Sequence, residues 1–487
     1  MKKIPRILIS APASGSGKTM ITCALLEAFS KSGKKITSFK CGPDYIDPMF
    51  HKEVLGIDSY NLDAFLCGRE GSKRCLMENT GEAELAVIEG VMGYYDGLGG
   101  ISVQASAYDV AGITDTPVVL VIDCRGMSVS VVPYLQGFVN YKEDSRIKGV
   151  ILNRLSPMMY GRMKEMIERE TNLTVYGYVP VMKDALIESR HLGLCLPQEE
   201  KEIKSRIEML GEKVSQTIDL EGILELAQSA GELETGESEE NEQFSESGQP
   251  DERTLAVRKD SHVRDEVALK IAVAMDDAFC FIYKDNLKIL EKLGAEVVPF
   301  SPIYDKHLPE GISGLILYGG YPELHAKALS ENVSMRQEIR TALENGLPCM
   351  AECGGFMYLK ETLTTQEGKA YPMAGVLKGE SHYTPSLKRF GYAVLSGGTV
   401  FGMEVGEIPV HEFHYFDTDD YGDAFVSRKP LSDRSWKCMV STDTLFAGYP
   451  HIHYGGNPRV AEAFMEACRK RKEHDVRTDH CGDCSGR

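Results

Sequence analysis

The chain has 487 residues, 43% of them apolar and 26% charged, which exceeds one ordinary core and fits a globular protein of two domains. Its formal net charge of −18 argues against nonspecific nucleic-acid binding, which draws on basic surface. It leaves room for a polyanionic substrate in a local basic pocket. The first apolar stretch is too short for a signal segment or a membrane span, so a cytoplasmic protein without membrane contact is expected. The 13 cysteines have no paired spacing in the body of the chain and are expected to be free thiols.

In chain order, apolar runs at 4–10, 35–40, 85–89, 117–123, 147–153 and 174–179 read as strands. Several are continuous and rich in Val and Ile, as parallel strands covered on both faces are, and the stretches between them suit crossover helices. Residues 231–266 are acidic and poor in large apolar side chains, and are expected to form a flexible linker. A second series starts at 269–274 and continues at 295–300, 314–318 and 347–352. Segments around 409–413 and 445–454 are expected to complete a second sheet. A helix from Pro458 to about Lys472 closes the series, with proline in its first turn. The expected fold is α/β, with domains at 1–230 and 267–472 and a disordered tail at 473–487. In that tail, His480, Cys481 and Cys484 fall short of the four ligands of a structural zinc site.

The first strand leads into Ser14-Gly15-Ser16-Gly17-Lys18-Thr19. Gly15 and Gly17 let the backbone curl so that N–H groups face a phosphate, and the helix that follows presents its N-terminus to the same charge. Lys18 is placed to reach the outer phosphates of a nucleotide and Thr19 to ligate Mg²⁺. Pro12 stands where the standard motif has glycine, so the loop is a variant. Asp44 and Asp47 follow the second strand, and Glu89 ends the third run, with Asp96 in the loop after it. In a parallel sheet these strand ends share the edge of the phosphate loop and supply candidate metal carboxylates. Asp123 also ends a strand, so the set is not unique.

Late in the chain a strand leads into Ala351-Glu352-Cys353-Gly354-Gly355. Small neighbours permit a sharp nucleophile elbow, and a helix N-terminus is expected to favour the thiolate. Gly354 N–H is a candidate oxyanion donor, and Gly319 and Gly320 offer a second. A nucleophilic thiol needs a base. His451 and His453, two residues apart and expected on one face of a strand, are candidates, as are His411 and His414.

These segments together resemble the cobyrinic acid a,c-diamide synthase family over nearly the full length. The matches run through 14–19, 40–48, 89–97, 190–194, 277–279, 300–302, 319–324, 351–355 and 457–458. The resemblance implies a dethiobiotin synthetase-like ATP domain, whose group also carries a variant phosphate loop, followed by a flavodoxin-like class I glutamine amidotransferase domain. It implies ATP and Mg²⁺ held by Gly15, Ser16, Gly17, Lys18 and Thr19 with Asp44, Asp47 and Glu89. Asn153 would face the adenine. Asp96 and His191 would stand on the substrate side. It makes Cys353 the glutaminase nucleophile. Where ordinary relatives have His-Pro-Glu, this chain has His451-Ile452-His453, so a Cys–His dyad is implied, with His451 the first choice of base and His453 the second. ATP would phosphorylate a tetrapyrrole carboxylate, and ammonia from L-glutamine would displace the phosphate. The implied substrate is cobyrinic acid, amidated at its a and c acetate carboxylates in cobalamin biosynthesis, with nickel sirohydrochlorin or hydrogenobyrinic acid as the alternative. A partitioning-type switch ATPase with a degenerate docking domain is the non-enzyme alternative. The oligomeric state stays open, a homodimer included.

Overall fold

The computed structural model describes residues 3–182, 197–234 and 268–482. The linker beyond Glu234, and the 190–194 segment with His191, lie outside the described residues.

The first half builds a seven-stranded, wholly parallel sheet. Its order is Ser59–Leu62, Ile36–Cys41, Leu85–Glu89, Arg6–Ser10, Val118–Asp123, Ile147–Asn153 and Thr174–Val179. Leu85–Glu89 is buried at every position, because helices cover both faces. The parallel arrangement collects the C-terminal ends of all seven strands at one edge. In register, Ile9 and Lys40 both lie beside Glu89. The first strand leads through the glycine loop into the helix Lys18–Lys31.

The second half contains a six-stranded sheet ordered Val440–Ser441, Leu445–Gly448, Cys349–Glu352, Gly314–Leu317, Leu269–Ala274 and Ala295–Phe300. All its pairings are parallel except that of the edge strand Val440–Ser441.

The structure corrects three expectations. The 409–413 segment does not join this sheet but belongs to the long strand Ile408–Thr418, which pairs antiparallel with Leu377–Ser396 in a separate sheet. The 445–454 segment splits between the two sheets as Leu445–Gly448 and His451–Ile452. Pro450 sits at the break, where it has no N–H to give to a ladder. The closing helix runs over Arg459–Gly482, past the expected end at Lys472.

The two halves pack against each other. The helix Lys284–Lys292 lays Lys284, Lys288 and Lys292 along the first half, where they meet Asp58 at 3.3 Å, the Tyr60 hydroxyl at 3.0 Å and Glu78 at 2.7 Å. Among the described residues no helix is long and apolar enough to cross a membrane.

Candidate functional site

At the phosphate edge, Gly15 and Gly17 have φ of 80° and 90°, the left-handed conformation that the curl requires. Gly17 is fixed twice, since a Cβ there would strike the Asn153 amide. Asn153 Nδ2 donates to the Ser16 carbonyl at 2.8 Å, and Arg154 Nη1 to that of Gly15 at 3.2 Å. Asn153 therefore braces the loop, a contact that the adenine-facing expectation did not include. Lys18 Nζ donates to the Met92 carbonyl at 3.3 Å. Burial, and then the nearby Lys40, lower its pKa.

Thr19 Oγ1 donates to Glu89 Oε1 at 2.6 Å. Glu89 is fully buried, and its Oε2 faces His51 Nε2 at 3.5 Å with no hydrogen bond. Burial alone would raise its carboxyl, but Lys40 and His51 outweigh that and hold it below the usual range. Lys40 is the centre of the cluster. Its ammonium is 3% exposed and pairs with Asp47, with Glu89 at 3.0 Å and with Asp44 at 3.8 Å. Burial, followed by Glu89, raises Asp47 to about 7. Asp123 is held by Arg154 at 2.7 Å and Arg125 at 2.8 Å. Asp96 turns back to accept from Gly93 N–H at 2.9 Å.

This donor set suits Mg²⁺, a hard cation that takes one or two protein oxygens and fills its shell with water and phosphate. Thr19 and Glu89 face one another and Glu89 keeps a free oxygen. Asp44 and Asp47 are instead turned toward Lys40. Lys40 and His51 were missed by sequence reasoning. The one signal for Lys40 was a charge inside a strand otherwise built for burial.

At the second site, Cys353 has φ 45° and ψ −102°, a strained elbow between the strand Cys349–Glu352 and the helix Gly354–Leu359. Its N–H donates to the Gly448 carbonyl at 2.8 Å, which holds the turn. The expected lowering of its pKa is not what the surroundings produce. Burial and then Glu323 push the thiol up, against the pull of the Gly354 N–H. Burial likewise raises Glu323 to about 7.

The two histidines do not share a face. His451 lines the cavity of Cys353. A Cβ at Gly319 would strike its Cε1 and stand 3.4 Å from Cys353 Cβ, so Gly319 is the space that lets imidazole and thiol approach. His451 Nδ1 has no hydrogen bond and lies 3.8 Å from Glu352 Oε2. Burial, with His411 and His414 adding like charge, lowers His451 to about 3. His453 follows the strand and turns into the seam between the halves. Its Nδ1 meets Cys67 Sγ at 3.3 Å and its Nε2 stands 3.8 Å from Asp285. Burial opposes charge there, yet Cys67 and Asp285 outweigh it and raise His453 to about 10. His411 and His414 both line the cavity, and His414 is buried and bonded to Glu412 at 3.2 Å.

One cavity of ≈ 910 Å³ takes walls from both halves: Asp44, Tyr45, Met92 and Asp96 from the first, and Gly320, Glu323, Cys353 and His451 from the second. Tyr45 reaches across to stack on Phe281 at 5.1 Å and lies 5.3 Å from the His451 ring. Tyr392 OH donates to the buried Asp63 at 2.8 Å, again across the seam.

A parallel sheet with a phosphate loop, joined to a thiol elbow on a second sheet, defines a class: nucleotide-binding enzymes that take nitrogen from glutamine. Comparison with known proteins agrees. Residues 7–193 match the CobQ/CobB/MinD/ParA nucleotide binding domain, and residues 270–458 the CobB/CobQ-like glutamine amidotransferase domain. The chain is 37% identical to the cobyrinate a,c-diamide synthase of Listeria innocua over 463 residues, covering 93% of this chain and 97% of that one. It is 36% identical to the enzyme of that name from Caldanaerobacter subterraneus over 466 residues, covering 95% and 98%. The chain belongs to the cobyrinate a,c-diamide synthase family and is a glutamine-hydrolysing, amide-forming enzyme.

Proposed function

We propose that the enzyme uses ATP and glutamine to amidate the a and c acetate carboxylates of cobyrinic acid, a step of cobalamin biosynthesis. The observation that carries this reading is the shared cavity, with Cys353 in one wall and the phosphate-side loops in the other. The names of the relatives supply the substrate.

Cys353 Sγ attacks the amide carbon of glutamine and loses its proton to His451. The oxyanion forms beside the Gly354 N–H and the Gly319–320 turn. His451 then gives its proton to the departing ammonia, and water hydrolyses the thioester. Burial holds the thiol protonated and the imidazole neutral, so the proton moves to His451 only as the sulfur attacks bound glutamine. At the other wall, Lys18 and the loop N–H groups hold the ATP phosphates. Thr19 and Glu89 would hold Mg²⁺, which neutralises phosphate charge when bound. The substrate carboxylate becomes an acyl phosphate, phosphate leaves as ammonia attacks, and the cavity keeps the ammonia from water on its way.

Mass spectrometry of products tests this directly, with purified protein, ATP, Mg²⁺ and glutamine, and with cobyrinic acid, hydrogenobyrinic acid and nickel sirohydrochlorin in parallel. Two amidations on cobyrinic acid alone support the reading. Amidation of only one of the others moves the enzyme to that substrate.

A further inference from the structure

The strand Ile408–Thr418 buries Ile408, Val410 and Phe416 on its inner face, but its middle has the polarity reversed. Glu412 and His414 point inward and are buried, while Phe413 and Tyr415 point outward, 48% and 42% exposed. Glu412 Oε2 and His414 Nε2 bond to each other, His414 Nδ1 donates to the Phe416 carbonyl at 2.6 Å and the ring stacks on Tyr449 at 4.0 Å, while Glu412 Oε1 has no hydrogen bond. A slip of one residue would bury the two aromatic rings but expose Ile408, Val410 and Phe416, so the register is fixed with the rings outside. On the neighbouring strand Phe390 is 55% exposed. Its ring meets Phe413 edge-on at 5.5 Å, and Phe413 meets Tyr415 at 6.2 Å. A cluster of exposed aromatic rings is a binding surface more often than an accident of composition.

This ledge faces inward to the molecule's main cleft. Phe390, Phe413 and Tyr415 all line the ≈ 910 Å³ cavity that also holds Cys353 and Asp96. That volume suits a small molecule and excludes a folded partner. Lys429, at the edge of the ledge, lines the same cavity and is anchored by the Tyr392 carbonyl at 3.0 Å.

We propose that the apolar ledge of Phe390, Phe413 and Tyr415, whose rings stand edge to face to one another, seats the broad conjugated face of the substrate macrocycle by ring faces and edges together, with Lys429 receiving one of its peripheral carboxylates. The proposal rests on the tetrapyrrole reading above and deepens it. It places substrate recognition on the amidotransferase half, across the cleft from the phosphate loop. Stacking holds a macrocycle by its face and leaves the rim carboxylates free to reach the loops that carry Asp44 and Asp96.

The test is an absorbance titration of the full-length protein with cobyrinic acid. It compares the unaltered chain with Phe413→Ala, Phe413→Leu, Phe413→Trp and Tyr134→Ala, the last an exposed aromatic on the distant helix Val131–Asn140. Loss of an aromatic platform weakens binding by about tenfold or more. That loss is expected for Phe413→Ala, and a smaller one for Phe413→Leu, which keeps apolar bulk and guards against misfolding. Phe413→Trp and Tyr134→Ala are expected to bind as the unaltered chain does. Equal Kd values for Phe413→Ala and the unaltered chain would overturn the ledge. So would an unchanged Kd with an altered oligomeric state, which would make the ledge a contact between copies. If the unaltered protein binds no tetrapyrrole, the substrate reading fails and takes the ledge with it. That outcome is distinct from binding that ignores Phe413.

Discussion

His451 and His453 are one residue apart from being neighbours, and their surroundings drive them in opposite directions. His451 looks into the cleft from an apolar wall, with its Nδ1 unbonded and its pKa lowered to about 3. His453 is equally buried, but it lies between Cys67 and Asp285 in the seam and is raised to about 10. Burial is common to both and penalises charge in both. The partners make the difference. Both imidazoles stand 3.8 Å from a carboxyl group, but burial raises Glu352 to about 8, so it offers His451 little negative charge, whereas Asp285 is held below its usual range and, with Cys67, favours the charged form of His453. Proximity in sequence therefore says little about shared chemistry at this strand end.

Several experiments can break or sharpen that contrast. The largest effect is expected for Cys353→Ser, which should lower glutamine-dependent amidation by about a thousandfold or more. Amidation fed with ammonium chloride should survive within a few fold, and product analysis with the two nitrogen donors reads the split. His451→Asn should lower glutaminase turnover by about 10²–10⁴-fold, the range of a lost general base. His453→Asn should stay within about tenfold of the unaltered enzyme in the same assay, and equal losses in the two variants would refute the division of roles. Gly319→Ala should cost less than His451→Asn, because its Cβ displaces the imidazole without removing it. Its ammonia-dependent activity should be untouched.

The smallest effect is in stability. A group raised in the folded state contributes fully below its unfolded pKa, near 6.5, and loses that contribution as pH rises toward its folded value. For His453 the window runs from about 6.5 to about 10. Thermal melts from pH 7 to pH 10 should show a fall in Tm that is shallower in His453→Gln. The variant itself should melt lower at pH 7, since Asp285 is left buried without its cation. Identical pH slopes would mean that the imidazole carries no charge in the seam.

The parts of the fold that the sequence made legible share one physical trait. Leu85–Glu89, Ile147–Asn153 and Leu269–Ala274 are covered on both sides, so their apolar runs carry a signal that needs no partner to be read. Ser59–Leu62 went unread because Ser-Tyr-Asn-Leu is short and half polar, and only its place at the sheet edge makes it a strand. Ile408–Thr418 was read too short, because its buried positions include Glu412 and His414 and its exposed ones Phe413 and Tyr415, the reverse of the usual alternation. At the sites, the two glycine loops were legible because each needs residue types that little else explains. Lys40, His51 and the Cys67–Asp285 partners of His453 were not, since each acquires its meaning from a contact far away in the chain.

The row of Lys284, Lys288 and Lys292 has a mechanical meaning as well. Three cations one helical turn apart pin one margin of the cleft, and two of them, Lys284 and Lys292, hold exposed acids that salt can screen. The centre of the same seam, around Tyr283 and His453, is buried and so is screened less by salt. Rising ionic strength should therefore loosen the seam at this outer edge first, and leave its buried centre to the last.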